Sequence, residues 1–319
     1  MLLSGIIKKK FDAVLGRYEE DPAQYYYSVK DFPDIKSKSF NINGSKGILK
    51  GYFYFYKNLN PDNIIIFDHG IGAGHNAYFK EIEYLARNGY TVYSYDHTGC
   101  VNSDGEGILG FAQGVNDLDH VLNGILQDKL FSNSKIKLVG HSWGGYNAMN
   151  VAQFHPEVTH VVSLAGFLSA RSLIEQYLPN FVMRYSKEVM ARERQINPEY
   201  ADLDARNSMK KSNAALMHLQ STDDTKVEFE LCYPLLYDAL KGRAKTTFIT
   251  VDHRCHDPQR TVNAAKANKT MLDELNTLRK KNKLETTLEL KAFKDSYNWD
   301  IITEQDPDIW KKILLFLDE

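Results

Sequence analysis

Cysteine is scarce in this chain, with three residues, Cys100, Cys232 and Cys255, among 319. Three cysteines cannot form a complete set of disulfides, and so few in a chain of this length indicate a reducing compartment. We therefore expect a cytoplasmic protein. A chain of this length has room for a full α/β core and an insertion.

Long apolar runs and an excess of one charge are missing too. No segment approaches the ~18 uncharged apolar residues of a membrane-spanning helix. Residues 2–7 are apolar but too short for a signal-peptide core, and the lysines follow them instead of preceding them. Lys and Arg number 39 against 41 Asp and Glu, and this net charge of −2 gives no reason to expect nucleic acid or a membrane surface as partner. We expect a small-molecule substrate.

The most informative segment that is present runs from 136 to 146, where an apolar stretch leads into Gly-His-Ser-Trp-Gly-Gly. A serine hydroxyl is a weak nucleophile and must be exposed at a fixed point where a base takes its proton. A sharp strand-to-helix turn does this, and it requires glycine two residues before and two after the serine, as at Gly140 and Gly144. Residues 146–152 suit the following helix. The pattern predicts a nucleophile at Ser142 instead of an ordinary glycine-rich turn.

The order of elements along the chain predicts an α/β fold. A helical lead-in ends near residue 21, and an antiparallel hairpin follows around residues 43–47. Strand patterns then alternate with helical periods, which predicts a mostly parallel sheet with helices on both faces. The expected strands are 63–68, 91–96, 136–140, 159–164, 215–220 and 246–251. Ligand chemistry should lie at their carboxyl ends.

Residues 167–213 have no clear strand but carry apolar residues at helical spacing, namely Leu173, Ile174, Tyr177 and Leu178, then Phe181, Val182 and Tyr185. We interpret this segment as an inserted helical lid that divides the core into residues 1–166 and 214–319. The alternative is extra helices with no role in binding, because amphipathic spacing reports burial and not purpose.

A serine nucleophile needs an imidazole to accept its proton and a carboxylate to orient that imidazole. The loops after the last two strands offer both. Asp223 and Asp224 follow strand 215–220, and His253 and His256 follow strand 246–251. The chain order is serine, acid, histidine. His141, inside the elbow, is a further candidate for the base.

With these residues the chain resembles the α/β-hydrolase superfamily. Four features carry the resemblance: His-Gly-Ile-Gly at 69–72, the loop at 96–105, the elbow at 140–145, and Asp-x-x-Val at 224–227 followed by a late histidine. The similarity spans roughly residues 40–260, in the order that the fold requires. It departs at Val101 and Cys255, where many relatives have glycine.

The resemblance implies a role for each residue. Ser142 would attack, His256 would be general base and then general acid, and Asp224, which has valine three residues on, would hold the imidazole. The backbone N–H groups of Ile71 and Trp143 would form the oxyanion hole. The expected function is hydrolysis of a carboxylic ester through an acyl-enzyme, without a cofactor. Amide or peptide hydrolysis and an inactive binding relative are the alternatives, since the fold does not choose among them.

Two other patterns suggest different chemistry. Residues 72–77 match the dinucleotide fingerprint Gly-x-Gly-x-x-Ala, and Asp96 closes the next strand where a ribose-binding acid would stand, as in an NAD-dependent oxidoreductase. Residues 68–71 intervene between strand and fingerprint, which argues against that function. Residues 252–256 contain four side chains of metal-binding type, but they are too crowded to reach one tetrahedral ion, so we expect no metal.

The chain continues well past the predicted base. Residues 260–280 and 308–317 have helical periods, and the second of these is expected to be the closing helix. Between them, residues 287–293 are equally compatible with a strand and a helix.

Overall fold

The computed structural model describes residues 13–72, 74–178 and 185–319. Within these residues the strands are β1 (Lys36–Ser39), β2 (Ile42–Gly44), β3 (Gly47–Leu49), β4 (Gly51–Phe55), β5 (Ile64–Asp68), β6 (Thr91–Tyr95), β7 (Ile136–His141), β8 (Val158–Leu164), β9 (Ala215–Ser221) and β10 (Thr246–Val251). Eight of them form one sheet in the order β1-β4-β6-β5-β7-β8-β9-β10, and β2 pairs with β3 separately. The β1/β4 and β4/β6 pairs are antiparallel, and the pairs from β6 to β10 are parallel.

The central strands are buried on both faces, as their sequences require. β5 reads Ile-Ile-Ile-Phe-Asp, and all five residues are buried. Such continuous apolar runs are typical of parallel strands covered by helices on both sides. The β5/β7 register pairs Ile64 with Ile136 and Asp68 with Gly140, so the carboxyl ends of the two strands lie side by side.

The helices connect these strands and cover the sheet. They are α1 (Phe79–Arg87), α2 (Ala112–Gln127), α3 (Trp143–Val151), α4 (Ala170–Tyr177), α5 (Ser186–Ile196), α6 (Ala205–Lys211), α7 (Phe229–Leu240), α8 (Val262–Lys280), α9 (Thr287–Asp295), α10 (Trp299–Ile302) and α11 (Pro307–Leu317), with 3₁₀ turns at Val29–Asp31 and His75–Tyr78. Among the described residues no helix is both long and apolar enough to cross a membrane.

Alternate residues of each central strand enter different cores, as the period of a strand dictates. Ile66 and Leu138 join one cluster with residues of α2 and α3, whereas Ile65 and Val139 join another with residues of α1 and α11. A third, smaller cluster joins α8 to α9 through residues such as Phe293. The sheet is therefore the middle layer between two packed faces.

The predicted strands and the mostly parallel sheet are confirmed. The predicted hairpin is present but divided, because β2 and β3 leave the main sheet while β1 and β4 remain in it. The ambiguous segment 287–293 is helical and lies in α9. Most of the predicted lead-in, residues 1–12, lies outside the described residues, as do Phe181 and Val182. The rest of segment 167–213 carries α4, α5 and α6 between β8 and β9.

Candidate active site

Ser142 lies at the turn between β7 and α3 with φ +55° and ψ −112°. A positive φ is uncommon outside glycine, costs on the order of 1–3 kcal/mol, and occurs most often at functional sites. Two backbone hydrogen bonds maintain the turn: the Ser142 N–H donates to the Leu164 carbonyl at 2.7 Å, and its carbonyl accepts from the Tyr146 N–H at 3.0 Å. The side chain is partly exposed. A serine hydroxyl is thus held at a fixed, accessible point.

The glycines of the elbow are required by close backbone contacts. A Cβ on Gly140 would lie 2.2 Å from the Gly144 carbonyl oxygen, and one on Gly144 would lie 2.0 Å from the carbonyl oxygen of Asp68. Both distances are far shorter than van der Waals contact. The expectation that this turn leaves no room for a side chain at either position is confirmed.

His256 and Asp224 form a buried pair. The Nδ1 atom of His256 lies 2.8 Å from Oδ2 and 3.0 Å from Oδ1 of Asp224. The carboxylate also accepts from the N–H groups of Lys226 and Val227, at 2.9 and 3.2 Å. Because a carboxylate only accepts, Nδ1 carries a proton, and Nε2 is the acceptor nitrogen of the neutral imidazole. Within the part of the chain that the structure describes, no group hydrogen-bonds to Nε2. The imidazole is oriented and has a nitrogen free to accept a proton.

The competing candidates have other surroundings. Asp223 accepts from the Ser221 hydroxyl at 2.5 Å and from the Cys255 N–H at 3.1 Å, so it shapes the loops instead of meeting His256. His253 is exposed to solvent. Of the predicted acids and bases in these two loops, the structure brings together Asp224 and His256.

His141 links this pair to the elbow. Its Nε2 donates to the backbone carbonyl of His256 at 2.7 Å, and the two imidazole rings pack edge to face with centroids 4.8 Å apart. Because His141 directly precedes Ser142, its hydrogen bond to the His256 carbonyl attaches the loop of His256 to the elbow. The described residues include no hydrogen bond from the Ser142 hydroxyl to His256. This bond is often long in unliganded enzymes and tightens when substrate binds.

The loop at 69–72 lies against the elbow, as an oxyanion loop would. A Cβ on Gly70 would lie 3.4 Å from the Cβ of Ser142. Trp143 is the first residue of α3, a position whose N–H has no partner within the helix. In the described residues no group accepts from the N–H of Trp143 or of Ile71. Two unused donors therefore belong to the segments that meet at Ser142.

Beneath the elbow lies a buried charged cluster that the sequence analysis did not identify. His97 contacts Asp68 through Nε2 and Asp117 through Nδ1, the latter at 3.2 Å, and all three side chains are buried. Burial by itself would lower the pKa of His97, but the two carboxylates outweigh it and raise that pKa from 6.5 to about 9. The Trp143 ring packs on this imidazolium with centroids 4.5 Å apart. The signal in the sequence was a polar residue at the end of each of two buried strands.

The patterns that suggested other chemistry are explained by structure. Asp96 is buried and accepts from the Nδ1 and the backbone N–H of His75, at 2.7 and 2.9 Å, so it is not available to a ribose hydroxyl. A Cβ on Gly74 would lie 2.4 Å from that carboxylate, which explains the glycine. Ala73, in the middle of the fingerprint, lies outside the described residues. Among the described residues, no group of three or more His, Cys, Asp or Glu side chains is arranged so that it could hold a metal ion.

Comparisons with known proteins agree with the fold of this chain. A family model described as alpha/beta hydrolase fold matches residues 63–205, which include the loop at 69–72 and the elbow. A proline iminopeptidase of Saccharolobus solfataricus is 28% identical over 185 residues, which cover 53% of this chain and 57% of that protein. A monoglyceride lipase of Saccharomyces cerevisiae is 24% identical over 159 residues, 48% of each chain. The chain thus spans about half the length of these two relatives.

Among solved structures, an esterase from Pyrococcus furiosus superposes with a TM-score of 0.60 at 16% identity. The superposition covers 83% of this chain and 99% of the esterase. At this identity the similarity concerns the fold, which agrees with the parallel sheet, the elbow after β7 and the matching family model. The chain has the α/β-hydrolase fold, and residues 63–205 are similar to the family model of that name.

Proposed function

We propose that the protein is a serine hydrolase that cleaves a carboxylic ester through an acyl-enzyme on Ser142. The observation that supports this proposal most directly is the contact between the elbow and the Asp224–His256 pair. His141 donates to the His256 carbonyl at 2.7 Å and precedes the serine, so this hydrogen bond links the backbone of the proposed base to the residue before the proposed nucleophile. A strained serine beside an oriented imidazole with a free nitrogen is the arrangement that nucleophilic catalysis requires.

In the proposed reaction the Ser142 hydroxyl attacks the ester carbonyl carbon while His256 Nε2 takes its proton. Asp224 holds the imidazole and stabilises the imidazolium that forms. The carbonyl oxygen becomes an oxyanion that accepts from the N–H groups of Ile71 and Trp143, each typically worth about 3 kcal/mol. His256 then protonates the leaving alcohol. Water, deprotonated by the same imidazole, attacks the acyl-enzyme, and the imidazolium then returns that proton to the Ser142 oxygen as the acid is released.

We further propose that segment 167–213 is a lid that shapes the acyl site. Its helix α4 is attached to the loop of the proposed acid: the Gln176 amide and the Tyr177 hydroxyl both donate to the Lys226 carbonyl, at 3.0 and 2.7 Å. Lys226 in turn donates its N–H to Asp224. A movement of this helix would therefore reach the carboxylate that orients the base.

Amide hydrolysis is the second candidate. It is favoured by the similarity to a protein named proline iminopeptidase, at 28% identity over 185 residues. The two candidates share the nucleophile, acid, base and oxyanion donors, and they differ in the leaving group that His256 must protonate. Substrates that carry the same acyl group as an ester and as an amide separate the two.

The direct test is labelling with a fluorophosphonate, which reacts with an activated serine. We expect the wild-type protein to be labelled and Ser142→Ala to remain unlabelled. Ser132→Ala is the matched control, since Ser132 is exposed and its hydroxyl donates to the nearby Lys129 carbonyl. This control should be labelled like the wild type. Equal labelling of wild type and Ser142→Ala, or none of either, contradicts the proposal and leaves a non-catalytic binding relative.

Substrate class is tested with p-nitrophenyl esters of graded chain length and with aminoacyl p-nitroanilides. Hydrolysis of the esters by wild-type protein but not by Ser142→Ala supports the esterase. Activity on the anilides without activity on the esters supports the amide hydrolase. Either activity that appears only with added NAD contradicts both.

A further inference from the structure

We propose that Tyr78 and His141 are positioning residues that hold the oxyanion loop and the loop of the base against the nucleophile elbow. This inference rests on the proposed function. The contacts run from the Gly70 N–H through the Tyr78 hydroxyl and the His141 ring to the His256 carbonyl, and we call this series the Tyr78–His141 bridge. It joins three segments that are far apart in the chain.

The hydrogen bonds of the bridge have one consistent direction. The His256 carbonyl can only accept, so His141 Nε2 carries a proton and donates to it at 2.7 Å. A neutral imidazole then accepts at Nδ1, where the Tyr78 hydroxyl lies at 2.9 Å and must donate. The Tyr78 oxygen is left to accept from the Gly70 N–H at 3.2 Å. Every donor of the bridge has an acceptor.

The surroundings keep His141 in this neutral form. Both Tyr78 and His141 are buried. Burial, and next the nearby His256 ring, lower the pKa of His141 from 6.5 to about 4. A protonated ring would present a second N–H to the Tyr78 hydroxyl, which would then have no acceptor for its own proton.

Each of the three segments that the bridge joins contains a group with a proposed role in the reaction. Gly70 precedes Ile71, whose N–H is a proposed oxyanion donor, and His141 precedes Ser142. The third contact is with the backbone of the proposed base itself, whose ring is already held by Asp224 at 2.8 Å. The bridge thus sets the relative position of donor, nucleophile and base, and none of its side chains needs to touch the substrate.

The contact between Gly70 and the Tyr78 hydroxyl leaves no room for a side chain at Gly70. A Cβ at this position would lie 2.5 Å from the Tyr78 hydroxyl oxygen. On the other side of the same residue, the Nδ1 of His69 donates to the Gly70 carbonyl at 2.8 Å. Gly70 is therefore held at both its N–H and its carbonyl.

Packing and hydrogen bonding by Tyr78 can be separated experimentally. Its ring packs on Phe67 and His141, with centroids 5.4 and 5.5 Å away. Tyr78→Phe preserves these ring contacts and removes the hydroxyl alone. Tyr93→Phe is the matched control, because Tyr93 is also buried and its hydroxyl donates to the Phe40 carbonyl at 2.8 Å, in a different part of the sheet.

The experiment measures kcat and KM for p-nitrophenyl butyrate, the rate of fluorophosphonate labelling, and Tm. For Tyr78→Phe we expect kcat and the labelling rate to fall roughly 10- to 100-fold, since small misplacements of reacting groups have effects of this size. KM should stay within about twofold, because the bridge does not contact the substrate. Tyr93→Phe should keep the wild-type kcat even where its Tm falls.

A double-mutant comparison separates the bridge from general destabilisation. His141→Ala breaks the bridge at its centre, so adding Tyr78→Phe should lower kcat little further. His141→Gln, whose amide N–H can still donate toward the His256 carbonyl, should recover part of the activity lost in His141→Ala.

The outcomes distinguish this inference from the proposed function. If the wild-type protein is labelled and Tyr78→Phe is labelled at the same rate, the proposed role of the bridge is wrong and the proposed serine hydrolase is unaffected. Additive losses in the double variant, or equal losses of kcat in Tyr78→Phe and Tyr93→Phe, also overturn it. Absence of labelling in the wild type overturns the proposed function and the bridge together.

Discussion

Two buried histidine–aspartate groups lie close to the elbow, and they differ in one respect that separates a proposed base from a structural cation. His256 meets one carboxylate, Asp224, at Nδ1. His97 meets a carboxylate at each nitrogen, Asp68 and Asp117. A histidine acts as a base only through a nitrogen with a free lone pair, and His97 has none.

The partners of the two groups make the same distinction. Asp117 also accepts from the N–H and the hydroxyl of Thr98, both at 2.8 Å, and from Gln113 at 2.7 Å. His97 is fully buried, whereas His256 retains 7% of its surface exposed. The His97 group, which we call the inner group, is therefore saturated with hydrogen bonds and closed to solvent. The His256 group, the outer group, keeps Nε2 without a hydrogen-bond partner among the described residues.

Histidine beside aspartate is therefore not by itself a sign of catalysis. Low-dielectric surroundings strengthen each contact, so a doubly paired His97 stays charged and joins the ends of β5 and β6 to α2. Removing one partner of a buried ion pair leaves an uncompensated charge and is strongly destabilising. The outer group should control activity and the inner group stability.

The largest effect is expected for His256→Gln. Loss of the proposed base should lower kcat about 10⁶-fold, as loss of the base does in a serine protease, while the free energy of unfolding changes by roughly 1 kcal/mol for the lost hydrogen bond. Ester hydrolysis and urea denaturation of the same samples measure both. A variant that loses its activity by unfolding, or one that retains kcat, would remove the distinction between the two groups.

A smaller loss is expected for Asp224→Asn. The amide can donate to Nδ1, which shifts the imidazole proton to Nε2, and the ring then cannot accept the serine proton. We expect kcat to fall about 10⁴-fold, the size of this effect in a serine protease.

Asp223→Asn is the matched control for this change, one residue away in the same loop. Its carboxylate contacts Ser221 and Cys255 and not His256. We expect kcat to change less than about tenfold in this control, in line with a loop contact that does not touch the reacting groups. Similar losses in both variants would mean that the loop, and not the carboxylate beside His256, carries the effect.

The elbow and the strands could be predicted because their signals are local. The signals for the elbow lie within one continuous strand-turn-helix segment of the sequence. They are a glycine two residues before and after Ser142, an apolar strand before it and a helix after it. The ambiguous segment 287–293 could also have been resolved, since Thr286 and Glu289 form a capping box that marks a helix start. The first residue of that signal, Thr286, lies one residue before the segment.

The bridge and the inner charged group were beyond sequence reasoning. Tyr78 lies 63 residues from His141, which lies 115 residues from His256, and no local pattern records such contacts. The pairing of His97 with Asp68 similarly depends on β5 and β6 being neighbours. From the sequence alone, a histidine at a strand end is equally compatible with a base, a metal ligand and a buried cation.

The smallest expected effect is the pH dependence of stability from His97. Its pKa is 6.5 when unfolded and about 9 in the folded protein. The folded state binds this proton more tightly, so the stabilisation is complete below pH 6.5 and is lost as pH rises through 9. A shift of this size corresponds to on the order of 3 kcal/mol.

Urea denaturation at about pH 6 and about pH 10 tests this expectation, with His97→Gln as the variant. At the lower pH the variant should be about 3–5 kcal/mol less stable, because two buried carboxylates lose their cation. At the higher pH the difference should shrink, since the wild-type imidazole is then neutral as well. A constant difference between wild type and His97→Gln across this range would mean that His97 is not a buried cation, and the contrast with His256 would then rest on hydrogen bonding alone.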